Sequence, residues 1–333
     1  MKGSKVCSPE RSELAGRELA IALVGATGTV GSQIAELIVQ RNFPYSQLKL
    51  FARDSSDRVV EAGDRALPVH HFTGPDVLST FDLAFLAIPN PTVRRIIAAR
   101  PGPLLIDLSA ATSPPDDRSL LLAPGLTGRE QIARPERGRL LAVPHPAAQL
   151  IATILSVVGD DASAAASIML SASAGGHESI SELFQQSADV LNARLDADDK
   201  IQVAFNVFRS AETDQLCGAI AGQVQALLHK SEPILLNIVR VPAFHGSGVA
   251  LFVRTTRPPE NLSHSLRSAP GLIVTDNEDA TGFVDAVGQE GAIARVGLND
   301  TGATIWCTFD AARLAALTAV WIAEALTGIS EFD

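Results

Sequence analysis

The chain has 333 residues, 46% hydrophobic and 19% charged, enough to bury cores for two domains. Its formal net charge is −10 and it carries no Lys/Arg run, which argues against a nucleic-acid binder. Three scattered cysteines (Cys7, Cys217, Cys307) and seven histidines without an i, i+4 pair argue against a disulfide framework and a metal site.

Residues 1–18 are polar, lack the apolar stretch of a signal peptide, and read as a tail disordered at its start. No apolar run approaches the roughly 18 residues of a membrane span, so a cytoplasmic protein without a membrane partner is expected. Leu19–Val24 reads as a strand, "GATGTVG" (25–31) as a glycine loop, and Ser32–Gln40 as a helix with Ile34, Leu37 and Ile38 on one face. "LKLFA" (48–52), "FDLAFLAIP" (81–89), "PLLIDLSA" (103–110) and "RLLAVP" (139–144) read as further strands, the last closing the series. Continuous apolar strands alternating with helices predict a parallel sheet covered on both faces, the Rossmann-type α/β arrangement.

The chain changes character at "PHPAAQLIATIL" (144–155), where a strand ends on Pro-His-Pro and a helix begins. "AASIMLSASAGG" is strand-like, and "SISELFQQSADVLNARL" and "DQLCGAIAGQVQALLHK" are helical. "ILLNIVRVPAFHG" and "GVALFVRT" predict two long strands joined by a tight Gly-Ser-Gly turn. A hairpin is expected across Asn299–Gly302, followed by a final helix, Ala311–Leu326. The second domain is therefore expected to be α+β, with a mixed or antiparallel sheet.

Gly25, Gly28 and Gly31 stand between a strand and a helix. The first permits the turn, the second lets backbone approach a pyrophosphate, and the third lets helix and strand pack closely. The helix N-terminus offers free N–H groups to phosphate. Candidate cofactor contacts are Gly25, Thr27, Gly28, Thr29, Val30 and Gly31. The competing explanation is a glycine turn kept for packing alone. After the second strand, Arg53, Ser55, Ser56 and Arg58 suit the 2′-phosphate of NADP, whereas Asp54 suits the ribose diol of NAD. The balance favours NADP, with NAD as the alternative.

With "IALVGATGTVG", the ordered set "IDLSAA", the junction at 144–155, "SASAGG" before a helix with "SEL", "VAFNV" (203–207), "RVPAFHG" (240–246) and "AALTAVWIAEAL" resembles the aspartate-β-semialdehyde dehydrogenase family over roughly residues 19–329. The resemblance implies an NAD(P)-binding domain (19–144), a substrate and dimerisation domain (145–309), a C-terminal helix (310–333) returning to the first domain, and a homodimer. The family, which acts in amino-acid biosynthesis, reduces β-aspartyl phosphate with NADPH through a cysteine thioacyl intermediate and a histidine acid/base. That chemistry needs a thiolate at a helix N-terminus and a nearby proton donor.

The family's Asn-Cys pair falls on His145 and Pro146, its Gln on about Leu170, its phosphate-binding Arg on Ser113, and its His on Ser247. Two charged substrate contacts fall within "GAIAGQVQALL", which has none, and "FDAARLAAL" lacks the Asn and Lys common at the start of the last helix. Only the substrate-type Arg240 matches. The three cysteines read as tail (Cys7), helix packing (Cys217) and strand core (Cys307). Four positions altered together point to a relative inactive in this reaction that retains dinucleotide binding and dimerisation. The alternatives are an active semialdehyde dehydrogenase, or a different reaction in which His145 and Ser247 pair, with His245 and His177 nearby. The bland account of the junction is Pro146 at the first helical position, holding His145 extended.

Overall fold

The apolar runs of the first 144 residues become central strands because both of their faces are covered. The computed structural model describes residues 14, 16–53, 58–99, 102–109, 119–127, 140–159, 162–194, 201–230, 234–255, 262–275, 281–299 and 302–328. Strands β1 (Leu19–Val24), β2 (Tyr45–Ala52), β5 (Leu83–Leu86), β6 (Leu104–Asp107) and β8 (Leu140–Ala142) are parallel neighbours in an eight-stranded sheet. The order is β3-β4-β2-β1-β5-β6-β8-β7. The periodicity did not pick out three strands at or next to the sheet edges. β3 (Val59–Ala62) and β4 (Arg65–His71) form an antiparallel hairpin, and β7 (Ser119–Leu121) lies outside β8. β8 is thus the last strand in sequence but not the sheet edge. Edge strands carry fewer apolar residues, so a pattern of continuous hydrophobicity passes over them.

Helix α1 (Thr29–Gln40) buries Gly31, Ile34, Ala35, Leu37 and Ile38 in one core of this sheet, and α2 (Asn90–Ala99) buries Val93 and Ile96 in another.

The second domain starts with α3 (Pro146–Val158), whose residues 146–155 are all buried. Its sheet holds β9 (Ser163–Leu170), β10 (Leu235–Arg240), β11 (Ser247–Arg254), β12 (Leu272–Val274), β13 (Ala292–Asn299) and β14 (Gly302–Phe309), in the order β10-β9-β11-β14-β13-β12. The sheet is mixed, since β9/β10 and β12/β13 are parallel and the other pairs antiparallel. Helices α4 (His177–Leu191) and α5 (Ala211–Leu228) connect β9 to β10, the helical crossover a parallel pair requires. The core joins α3, Ile220 and Val224 of α5, and one face of the sheet. Near its end stands the short α6 (Leu262–Arg267).

The expected Gly-Ser-Gly turn between β10 and β11 is corrected. The two strands are not neighbours; β9 lies between them. Residues 241–246 cross over the end of β9, fixed by Val241 N–H to Leu170 O, Ala172 N–H to Ala243 O and Ser173 N–H to Phe244 O. Ser247 and Gly248 already belong to β11, and a side chain on Gly248 would meet the rings of Phe283 and Trp306. The glycines serve close packing rather than a hairpin. The β13–β14 hairpin does form, with Asn299 opposite Gly302.

Helix α7 (Ala311–Thr327) leaves the second domain and packs on α1, adding Ala316, Ala319, Val320, Trp321, Ile322, Ala323 and Leu326 to the first core. Two ties secure it. Glu324, almost buried, pairs with Arg41 at 3.1 Å, and Arg313 Nη1 donates to Gln33 Oε1 of α1 at 2.9 Å. The segment read as a tail is attached at its end: Leu14 packs on this core, and Gly16 N–H donates to Thr327 O. No helix among the described residues is long and apolar enough to cross a membrane.

Candidate functional site

The glycine loop leaves β1 and turns directly into α1. Gly25 has φ +92°, and a side chain there would collide with Ala87 O and the Ile88 side chain. A side chain at Gly31 would collide with the backbone of Gly25 and Ala26. Neither position admits a larger residue without backbone movement. Gly28, the N-cap of α1, has extended backbone and gives no side-chain cap. The first-turn N–H groups of α1 therefore have no internal cap, and the buried Thr29 Oγ1 also lacks a partner. Thr27, Thr29 and Val30 are half-buried around this opening. Open N–H groups at a positive helix end, with a spare hydroxyl, fit a pyrophosphate. Arg53 follows β2 and is exposed, and Arg58 precedes β3; Asp54, Ser55 and Ser56 lie outside the described residues.

The second strand-to-helix junction is built in the opposite way. His145 is the N-cap of α3, and its Nδ1 accepts the Ala147 N–H at 3.2 Å. Pro146 takes the first helical position and has no N–H to satisfy. The N–H of His145 donates to Oε1 of the buried Gln223 in α5 at 2.7 Å. Burial, and then the positive charge of Arg240, lower the His145 pKa to about 4. The ring is neutral at pH 7, and its capping bond needs Nδ1 unprotonated.

Register brings together three of the positions that the resemblance singles out. Arg240, Leu170, Ser247 and Phe309 lie side by side across β10, β9, β11 and β14. The positions that the resemblance gives to Gln and His, Leu170 and Ser247, are thus direct neighbours, with Arg240 beside them. Ser247 is 1% exposed, and its Oγ has no hydrogen-bond partner. The Ser–His pair considered from the sequence does not form: the Ser247 hydroxyl has no partner, and Nδ1 of His145 is occupied by the helix. His245 and His177 are exposed, in the 241–246 crossing and at the first turn of α4.

Arg240 faces a cavity of about 430 Å³ lined by Ser179, Leu183, Val203, Phe208 and Glu212, among others. Its backbone is fixed by reciprocal hydrogen bonds with Phe208, N–H to O at 2.9 Å and 3.2 Å. Its guanidinium pairs with Glu212 at 3.4 Å. Neither described thiol approaches this region as a nucleophile. Cys307 is buried in β14 and its thiol is pushed up to about 12 by burial. Cys217 in α5 donates to Leu236 O at 3.9 Å, and burial raises its pKa too. Cys7 and Ser113 lie outside the described residues. Among the described residues, no three His, Cys, Asp or Glu side chains gather as a metal site.

Sequence reading passed over Gln223, Gln149 and Arg313. Gln149 of α3 accepts from Thr318 Oγ1 of α7 at 2.8 Å, joining the junction helix to the returning helix. Arg313 also reaches Gln40 at 3.4 Å and stands 3.9 Å from Glu36 and 3.8 Å from Glu290. Their signal was faint: each is a single polar residue among mostly apolar buried residues of its helix.

Residues 20–134 match the family described as semialdehyde dehydrogenase, NAD binding domain. The USG-1 protein homologue of Azotobacter vinelandii is 29% identical, over 92% of this chain and 97% of the relative. The aspartate-semialdehyde dehydrogenase of Legionella pneumophila is 28% identical, over 93% and 96%. Among solved structures, a probable aspartate-semialdehyde dehydrogenase from Pseudomonas aeruginosa superposes with TM-score 0.79 at 27% identity, covering 93% of this chain and 98% of the other. Aspartate semialdehyde dehydrogenase II of Vibrio cholerae, in complex with ASA, gives 0.81 at 25%, with the same coverage. Through the matched NAD-binding domain, the near full-length relatives and the shared two-domain fold, the chain is similar to aspartate-semialdehyde dehydrogenases along most of its length.

Proposed function

We propose that this chain is a dinucleotide-binding homodimer of the semialdehyde-dehydrogenase type that does not run the thiol-based reductive dephosphorylation of β-aspartyl phosphate. One observation carries the reading: the α3 N-terminus beside Arg240 is filled by His145 and Pro146, with no thiol and no free first-turn N–H of Ala147. Proline offers no nucleophile, and losing a covalent nucleophile with its base commonly costs about 10⁴–10⁶ in rate. Ser247, buried and unpartnered, supplies no base.

Cofactor binding rests on Gly25, Thr27, Gly28, Thr29, Val30 and Gly31, with Arg53 and the segment holding Ser55 and Ser56 favouring NADP over NAD. Bound NADP would supply a hydride acceptor; this chain contributes the N–H groups of α1 for its phosphates. The outer face of the six-stranded sheet supports the dimer, since Leu235, Phe252 and Ile273 are exposed on it. A cytoplasmic location belongs to the same reading; Cys217 and Cys307 are unpaired thiols.

The test incubates the purified chain with aspartate semialdehyde, phosphate and NADP and follows NADPH absorbance. No turnover is expected. Robust turnover that disappears on replacing Cys7, Cys217 or Cys307 sinks the proposal. Melting with NADP and NAD tests the cofactor, because a ligand at about 100 times its Kd adds about 2.7 kcal/mol. Light scattering after gel filtration reads the oligomer, with a dimer mass expected.

A further inference from the structure

Arg313 stands where both domains meet α7. It lies in the first turn of that helix, between α1 of the first domain and Glu290, which precedes β13 of the second. Its side chain is 9% exposed, and its hydrogen bonds are few. Nη1 donates to Gln33 at 2.9 Å and Nη2 to Gln40 at 3.4 Å, both on α1, while the buried Nε has no partner. A buried guanidinium with an orphaned N–H has lost water without full replacement. Two carboxylates stay just outside hydrogen-bonding range. Glu36 of α1 is 3.9 Å from Nη1, and Glu290 is 3.8 Å from Nη2. One cation is thus shared between carboxylates on different domains. Full pairing with either needs a movement of only about 1 Å, since charge-assisted bonds run near about 2.8 Å.

Glu290 ends a segment, 281–290, that is stiffened internally and tied at both ends. Asp285 Oδ2 accepts the Gly282 N–H at 2.7 Å, and the N–H groups of Ala286 and Val287 donate to the carbonyls of Phe283 and Val284. Toward its C-terminal end, the α7 cap Asp310 accepts the Gly288 N–H through Oδ2 at 3.2 Å and the Arg313 N–H through Oδ1 at 3.1 Å. At the other end, the Phe283 ring stacks on Trp306 of β14, with centroids 6.2 Å apart and planes at 16°. Trp306 Nε1 donates to Thr281 O at 3.0 Å. Phe283 also presses on the start of β11. A side chain on Gly246 would collide with the Phe283 carbonyl, and one on Gly248 with its ring. These two glycines flank Ser247, which stands in one row with Leu170 and Arg240. Close-packed contacts without slack pass a displacement on instead of absorbing it.

We infer that Arg313 and residues 281–290 form a strap between the domains, in which Arg313 divides itself between Glu36 and Glu290 and so sets the position of the Ser247 row relative to α1. A guanidinium drawn to Glu290 tightens the strap, and one drawn to Glu36 slackens it. Gln33 lies one turn after Thr29 on the same helix, so a displacement that starts at the open end of α1 reaches Arg313 directly. The joint is a two-state element that elements of both domains bias. It depends neither on the cofactor reading nor on the fate of the family's reaction.

Fluorine NMR of the full chain labelled with fluorotryptophan tests it without any ligand. The two tryptophans, Trp306 and Trp321, give two resonances, assigned with W306F. E36Q leaves Glu290 as the carboxylate nearest Arg313, and E290Q leaves Glu36. Both side chains are partly exposed, 34% and 66%, so neither change disturbs the core. The two variants are expected to move the Trp306 resonance in opposite directions. R313M should abolish the response to E36Q, and R313K should weaken it, because lysine keeps the charge but lacks the fork that reaches both domains at once. The inference is overturned if E36Q leaves Trp306 unmoved, if E36Q and E290Q move it alike, or if the response to E36Q survives in R313M. Should R313M not fold, the first two outcomes decide.

Discussion

Two strand-to-helix junctions use the same fold element for opposite ends. At Gly25–Gly31 the helix N-terminus is open: the cap is a glycine, and Thr29 Oγ1 has no partner. At Val143–Ala147 the N-terminus is closed. His145 caps it, Pro146 removes an N–H, and Gln223 holds the cap residue by its backbone. A helix end can stabilise an external anion or a thiolate only if its N–H groups and dipole are not already spent internally. At the first junction those N–H groups have no side-chain cap, whereas at the second His145 takes up the Ala147 N–H.

The largest break in this contrast is expected from Gly31→Val. The new side chain meets backbone at Gly25 and Ala26, which cannot yield without moving the loop. A loss of about 3 kcal/mol or more is expected, together with loss of the NADP-dependent rise in melting temperature. A variant that still shows the NADP shift would remove the loop from the cofactor site.

Next comes the closed junction's response to acid. His145 has an ordinary pKa of 6.5 and about 4 in the fold, lowered chiefly by burial. The unfolded chain binds this proton first. The stability it contributes is complete above pH 6.5 and falls as pH drops toward 4, by up to about 3 kcal/mol. His145→Asn keeps a capping acceptor and removes the titration. Urea unfolding between pH 7 and pH 4 should show a shallower decline for this variant than for the parent chain.

Gln223→Leu strips the acceptor from His145 N–H. About 2 kcal/mol should be lost in urea unfolding, while the NADP shift persists because the open junction is untouched. Equal loss of both would mean the junctions are coupled. The smallest effect is expected at Ser247→Ala. Removing a buried hydroxyl without a partner should leave stability unchanged or raise it by about 1 kcal/mol. A marked loss would mean that Ser247 has a polar role the fold alone does not explain.

Much of this was legible in advance because it is local. The glycine spacing between an apolar strand and an amphipathic helix identified the open junction, and Pro146 at a helix start identified the closed one. The long helices α1, α4, α5 and α7 and the β13–β14 hairpin fell close to where periodicity and turn chemistry put them, whereas the short α6 was not read. Less legible were β3, β4 and β7, which lie at or next to the sheet edges and carry no continuous apolar run. The place of β10 was misread, because a Gly-Ser-Gly sequence looks like a turn whether or not its flanking strands pair.

The sequence by itself determined the two-domain α/β fold, the open glycine loop and the want of a thiol at the 145–146 junction, since these depend on residue type at fixed spacing along one segment. Only the tertiary structure decided that β9 separates β10 from β11, which sets Arg240, Leu170 and Ser247 in one row. It also decided that Gln223 and Glu212, both in α5, reach His145 and Arg240 respectively. Those contacts join residues dozens of positions apart, and they follow from sheet register and helix packing, which no local pattern encodes.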